Sequence, residues 1–429
     1  LAIGKRGLES DPGSTGSRSA DVGLRRLIYT SKVKKRILLV QQTLQPPGGA
    51  SAVAAWILQA LRDDYDLTVL TYDPVRLEAL NRFYGTSLRE TDLSAVYPQP
   101  LVRAALSLDP GEGSIQPAAY LMRMCRRIRH RYDLVMAAGM EEMDLGGPGI
   151  MYVHYPHLAR FWDKYRDSSA GVSGLLRNRT RPWILLAGYS IQRMKQATTL
   201  TNSDWTASRI REAYGIHAQT VYPPVTMCAS PLPWESRDNS FVCAGRLNSR
   251  KRMDWLIAVL SQVRESYRDI RLHLVGTRDE GPEASRYYRE LAELVARNSG
   301  WVHLHEDLSR EGLLELMGRS RYAIHALRDE HFGIAPAEAL MAGCVTFVHD
   351  SGGQVEIVGR DSRLCYSDED AVEKISVVLA SPELQAVLSS SLAARRKFFT
   401  VERFTRKIRR AVSQAIGSGT VTLPLESHA

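Results

Sequence analysis

The chain has 429 residues, too many for one ordinary hydrophobic core, so two or three domains are expected. Hydrophobic residues at 44% and charged residues at 24% are the proportions of a soluble globular protein. Five scattered cysteines without a C-x-x-C pair argue against a disulfide framework or a metal cluster and fit a reducing compartment, and no apolar run reaches the roughly 18 residues of a membrane span. A net charge of +9 and a pI near 9.3 suit nucleic acid, an anionic membrane surface or a phosphate-rich substrate. No nucleic-acid-binding signature is present, which leaves the other two.

Residues 1–33 are rich in Gly, Ser, Arg and Asp with little periodicity and read as a disordered tail without the apolar core of a signal peptide. The first strand is expected at Arg36–Val40. A turn, Gln45-Pro-Pro-Gly-Gly49, and an apolar helix from Ala50 to about Leu61 follow it, the opening of a Rossmann-like unit. Gly48 and Gly49 permit close backbone approach to a phosphate or sugar, although they are not the full G-x-G-x-x-G fingerprint and also suit a plain strand-to-helix turn.

Strands are expected at Leu67–Tyr72, Asp133–Ala138 and Gly149–Val153, with helices over about Pro74–Tyr84 and Pro117–Arg131. This alternation predicts a mainly parallel sheet. Asp64-Tyr-Asp66 has the form of a metal-binding Asp-x-Asp but sits in a helix-to-strand connection and reads as a solvated turn; no metal site is expected. His154 ends a strand, at the sheet edge where open α/β sheets gather ligands. The stretch 159–174, with Phe161, Trp162 and Tyr165, suits either an acceptor-side loop or a packed connector. Thr199–Ser203 reads as a strand running into a helix that Gly215 stops, and Pro223, Pro224, Pro231 and Pro233 stiffen a linker.

A second Rossmann-like unit opens at Phe241–Arg246. Arg246 directly follows its strand and Lys251 lies at the next helix start, and two cations at such a junction can hold a diphosphate. Further strands are expected at Leu272–Gly276, Trp301–His305, Tyr322–Leu327 and Val345–Val348. Between the last two lies Glu330-His-Phe-Gly-Ile-Ala-Pro-Ala-Glu338, with a helix predicted over Ile334–Ala342 and capped by Gly343. Gly333 lets the backbone approach a ligand, and the free N–H groups at Ile334 suit a phosphate. Glu330 and Glu338 can border one cleft at different depths, each accepting hydroxyl hydrogen bonds. Ser351-Gly-Gly-Gln354 adds a second glycine pair to the cleft lining.

Glu, seven residues, Glu, with Phe-Gly-Ile after the first, resembles the retaining family 4 nucleotide-sugar glycosyltransferases, whose GT-B fold sets two Rossmann-like domains around a cleft. Gly-Arg-Leu followed by Lys251, His-Tyr-Pro from His154, Val221-Tyr-Pro-Pro224 and Phe399–Phe404 strengthen it, most of all for mannosyltransferases acting on lipid-linked glycans. The resemblance spans about residues 35–416 and departs at Ala335, Pro336 and Arg252, where Val, Val and Gly are more usual. It implies an α/β GT-B protein with an acceptor-side domain over 34–226, a nucleotide-sugar domain over 227–399 and a helix near 400–417 crossing back to the first.

The resemblance also implies Arg246, Lys251, Gly49, Gly333 and Ile334 on the donor diphosphate, Glu338 on the ribose, and Glu330 and His154 on the sugar. It further implies a GDP-mannose donor in preference to a UDP-sugar, no cofactor, a glycan or lipid-linked acceptor, and a cytoplasmic protein touching anionic membrane at its inner face. The competing readings are a phosphorylase or nucleotide-sugar epimerase of the same fold, and a non-catalytic nucleotide-sugar-binding subunit.

Overall fold

The alternating apolar strands and helices close into two parallel sheets. The computed structural model describes residues 34–46, 48–107, 115–139, 142–159, 183, 187–226 and 231–418. Expectations placed on residues 1–33, on Phe161, Trp162 and Tyr165, and on Cys228 lie outside them. From Lys35 onward the chain forms one unit containing both sheets.

The first sheet holds β1 (Arg36–Val40), β2 (Asp66–Leu70), β3 (Leu93–Val96), β4 (Leu134–Ala137), β5 (Ile150–Val153), β6 (Thr198–Thr201) and β7 (Gln219–Thr220), in the order β3-β2-β1-β4-β5-β6-β7. The second holds β8 (Asp238–Ala244), β9 (Arg271–Gly276), β10 (Val302–Glu306), β11 (Ser320–His325), β12 (Val345–His349) and β13 (Cys365–Tyr366), in the order β10-β9-β8-β11-β12-β13. Strand order therefore reverses beside β1 in one sheet and beside β8 in the other. A crevice opens beyond the strand ends at such a point because successive crossovers leave in opposite directions.

The central strands are buried on both faces, as parallel strands under helices must be. β4, β5 and β12 are buried at every position. The second sheet packs Phe241, Tyr322 and Phe347 against Leu256, Leu260 and Leu340. The edge strands β3, β7 and β13 were not apparent in the sequence; two of them contribute only two residues each, too few to show a period.

The last helix, Val401–Ser418, returns to the first sheet. Phe404, Ile408 and Val412 are fully buried there with Ile37, Val53 and Ile57. Arg409 Nε donates to the Ala60 carbonyl at 2.7 Å, and Lys407 Nζ to the Thr220 carbonyl at 3.2 Å. A chain that began in one sheet and built the second is thus tied back to the first. Asp64, in the connection before β2, is 56% exposed and pairs loosely with Arg409, as a solvated turn residue should.

Candidate functional site

The reversal point of the second sheet lies between β8 and β11, and the segments leaving these two strands meet there. After β8 the chain turns through Ser249–Lys251, a single 3-10 turn, so Lys251 stands just ahead of the Met253–Val263 helix rather than within it. After β11 it loops to Glu330. Lys251 Nζ meets Glu330 Oε2 at 3.0 Å, both side chains being four-fifths buried. His325, the last residue of β11, places Nε2 3.3 Å from the same oxygen. Burial alone would raise the Glu330 carboxyl, but the Lys251 charge and the His325 hydrogen bond hold it well below the usual carboxylate range. Glu330 is therefore an anion anchored through one oxygen. Its Oε1 accepts no hydrogen bond among the described residues.

The backbone around Glu330 is clamped from the following turn. Gly353 N–H donates to the Glu330 carbonyl at 2.7 Å. Gly352 has φ +80°, and a Cβ there would lie 2.3 Å from that carbonyl, so only glycine fits. Gly333, at φ +99°, starts the Ile334–Ala342 helix, and its free N–H end faces the cleft with Pro336 harmlessly in the first turn. Across the cleft, a Cβ on Gly49 would come within 3.0 Å of Ile334 Cδ1. The glycine loop after β1 and this helix start therefore close on one another, and Tyr84 hydroxyl steadies the loop by donating to the Gly48 carbonyl at 3.1 Å.

Glu338 lies one turn deeper. Arg310, which the sequence reading missed, donates to Glu338 Oε1 at 2.7 Å through Nη1 and to Thr226 Oγ1 at 2.8 Å through Nη2. Arg246, expected to share a diphosphate with Lys251, lies in contact with an acidic side chain instead of the Lys251–Glu330 pair. It is 57% exposed, with Nη1 3.4 Å from Asp279, because that carboxylate stands nearby across the β8–β9 edge. Arg252 holds a left-handed φ of 53°, a position natural to glycine. Its guanidinium forks onto Asp368 at 2.8 and 2.7 Å, which offsets the strain and, through that hydrogen bond, brings the Asp368 carboxyl down to about 2.

His154, from the end of β5, is buried, and its Nε2 has no hydrogen-bond partner among the described residues. Burial, helped by His331 and His157, pushes its imidazole down to about 3, so it is neutral near pH 7. Tyr155 stacks on His331 at 4.2 Å between ring centres, bridging the two halves immediately after Glu330. Ser203 hydroxyl donates to the His331 carbonyl at 2.6 Å.

A second missed residue, Glu356, accepts from the backbone N–H groups of Asp204 at 2.9 Å and Trp205 at 2.8 Å and from Tyr222 hydroxyl at 3.0 Å. It caps the Asp204–Tyr214 helix of the opposite half, where a carboxylate satisfies orphan donors and the helix dipole together. Among the described residues there is no group of three or more His, Cys, Asp or Glu side chains arranged to hold a metal, and no single helix long and apolar enough to cross a membrane.

Residues 230–393 match the model of the family "Glycosyl transferases group 1". The chain is 26% identical over 309 residues to a GDP-Man:Man(3)GlcNAc(2)-PP-Dol alpha-1,2-mannosyltransferase of Neurospora crassa, covering 61% of this chain and 55% of that one. It is 25% identical over 245 residues to human alpha-1,3/1,6-mannosyltransferase ALG2, covering 51% and 58%. The match thus spans about half the length of these relatives. The structure is similar to that of WaaG, a glycosyltransferase involved in lipopolysaccharide biosynthesis, with TM-score 0.62, 15% identity and coverage of 89% and 100%. It is also similar to Anabaena Alr3699/HepE in complex with UDP and glucose, with TM-score 0.61, 17% identity and coverage of 88% and 99%. These likenesses show the fold, the two-domain GT-B arrangement.

Proposed function

We propose that this chain, whose residues 230–393 match the glycosyl transferases group 1 family and whose two sheets form a GT-B fold, transfers mannose from GDP-mannose to a lipid-linked glycan. The observation that carries the reading is the anchored pair Lys251–Glu330 at the sheet's reversal point, beside the helix start at Gly333 and opposite Gly49. The relatives named as mannosyltransferases support the sugar and the acceptor class.

In this reading the donor diphosphate lies along the helix start at Gly333 and Ile334, against the Gly49 loop. Lys251 stands beside the departing oxygens, and Arg246 reaches them by leaving Asp279. Stabilising charge on the leaving diphosphate is the largest demand, and Lys251 with the helix-start N–H groups meets it in a water-poor cleft with little reorganisation, Arg246 adding its charge once it moves. The free oxygen of Glu330 accepts from sugar hydroxyls, His154 Nε2 meets the sugar from the other half, and Glu338 accepts from the ribose. The acceptor hydroxyl oxygen forms a bond to the anomeric carbon as the bond from that carbon to phosphate breaks. The hydroxyl proton passes to the departing diphosphate on the same face, which retains configuration without a protein nucleophile. The net charge of +9 supports contact with an anionic membrane surface that presents the acceptor.

The test is transfer from GDP-mannose to a diphosphate-linked oligosaccharide lipid, with and without magnesium, alongside thermal shifts with GDP and UDP. Transfer with a GDP-selective shift supports the reading. A GDP shift without transfer to any such acceptor overturns it in favour of a binding subunit.

A further inference from the structure

His325 is not part of the donor-binding set assigned above, yet it is the buried group closest in function to Glu330. It ends β11, is 3% exposed, and directs Nε2 to Glu330 Oε2 at 3.3 Å. An ionised carboxylate only accepts, so Nε2 carries the hydrogen of this contact, and burial favours the neutral ring. The strand end that carries the ring is pinned, because Tyr366 hydroxyl, from β13, donates to the His325 main-chain carbonyl at 2.7 Å.

Lys251 alone is a weak guide for a carboxylate. An ammonium is a compact charge on a flexible stem, and one contact leaves the carboxylate free to rotate about it. The second donor removes that freedom. With Lys251 and His325 both on Oε2, Oε1 is left as the oxygen without a hydrogen-bond donor among the described residues.

We propose that His325 is a positioning residue for Glu330, which locks one carboxylate oxygen so that the other meets the donor sugar in a single orientation. The proposal rests on the glycosyltransferase reading for the sugar, and on the geometry alone for the lock. The charged or titratable groups bearing on Glu330 are Lys251, from the turn after β8, and His325, from β11; those bearing on His325 are the same Lys251 and Glu330. Removing the imidazole takes away a hydrogen bond that favours the carboxylate, so the Glu330 carboxyl moves upward.

The test compares wild type, His325→Gln, which keeps a donor, and His325→Leu, which does not. The wild-type, His325→Gln and His325→Leu proteins are each titrated with carbon-13 glutamate NMR, Glu330 being assigned through Glu330→Gln, and each is assayed for mannosyl transfer and GDP affinity. In His325→Leu the Glu330 carboxyl should titrate at higher pH and the acid limb of kcat/KM should move up with it. Its kcat/KM should fall by about tenfold to a hundredfold, as misplacement of a positioned group does, with GDP affinity nearly unchanged. His325→Gln should recover most of both.

An unshifted Glu330 titration in His325→Leu overturns the lock. A shifted titration with undiminished transfer overturns its role in positioning the sugar. If the wild type makes no transfer, the transferase reading falls, while the titration still decides the lock.

Discussion

Arg310 and Glu338 form a buried ion pair 2.7 Å long, and the other arm of the same guanidinium holds Thr226 in the segment joining the two sheets. One planar fork therefore connects the carboxylate assigned to the ribose with the chain between the halves, a geometry lysine cannot reproduce. Removing Arg310 strands a buried carboxylate, which costs about 3–5 kcal/mol. Arg310→Ala should lower the melting temperature and weaken GDP binding by about tenfold or more, and Arg310→Lys should restore the charge but only part of the affinity. Calorimetric titration with GDP checks both, and unchanged affinity in Arg310→Ala would remove Glu338 from the nucleotide site.

Lys251 sets the pH range over which Glu330 is charged. Since the folded carboxyl lies below its unfolded value, the pair contributes stability above the unfolded value and loses it as pH falls through the folded one. In Lys251→Met burial remains while the cation is gone, so the carboxyl moves upward, with only the His325 hydrogen bond left to oppose burial. Transfer near neutral pH should drop by at least about tenfold, or ~1.4 kcal/mol, and the acid limb of kcat/KM should move to higher pH. A pH–rate profile superimposable on wild type would contradict the pairing.

His154 makes a second pH dependence. Its folded imidazole is at about 3 against an ordinary 6.5, so between those values the unfolded chain binds a proton the folded one does not. Stability should fall as pH drops through that window, with a slope approaching about 1.4 kcal/mol per pH unit. Denaturant melts at about pH 7 and about pH 5 should differ less in His154→Leu than in wild type. Equal differences in the two proteins would show that His154 titrates normally.

Much of this was legible in the sequence, and what was missed shares one cause. The helix Ile334–Ala342 reads directly from Gly333, Pro336 and Gly343, whose roles are local. Glu330 and Lys251 were identifiable singly by their place after strands, but their contact joins residues 79 apart. Arg310 drew no attention in the sequence because its partners, Glu338 and Thr226, are 28 and 84 residues away. His325 sat inside an apolar run and read as core; the signal was a polar residue at the strand's carboxyl end, five before Glu330. Glu356 gave no signal, since the donors it caps begin 152 residues earlier. Arg246 was identifiable by its place after β8, but nothing local announced Asp279 as its neighbour.

Glu356 joins the halves through three hydrogen bonds to one carboxylate. Burial raises its carboxyl, against the opposing effect of the Asp204 N–H. Glu356→Ala leaves two buried N–H groups unsatisfied, at about 1–3 kcal/mol each. The variant should melt lower and lose more kcat/KM than GDP affinity, because closure of the halves completes the site. A loss of stability with an unchanged kcat/KM would confine Glu356 to holding the fold.

The central claim is that Glu330, anchored by Lys251, meets the sugar of a GDP-linked donor. The most direct measurement is steady-state mannosyl transfer from GDP-mannose to a diphosphate-linked oligosaccharide lipid by wild type and Glu330→Ala, with GDP affinity measured on both. The account predicts transfer by wild type, a loss of at least about tenfold in Glu330→Ala, and GDP affinity within about threefold of wild type, since the carboxylate touches the sugar and not the nucleotide. Undiminished transfer by Glu330→Ala, or no transfer by wild type from GDP-mannose, would contradict it.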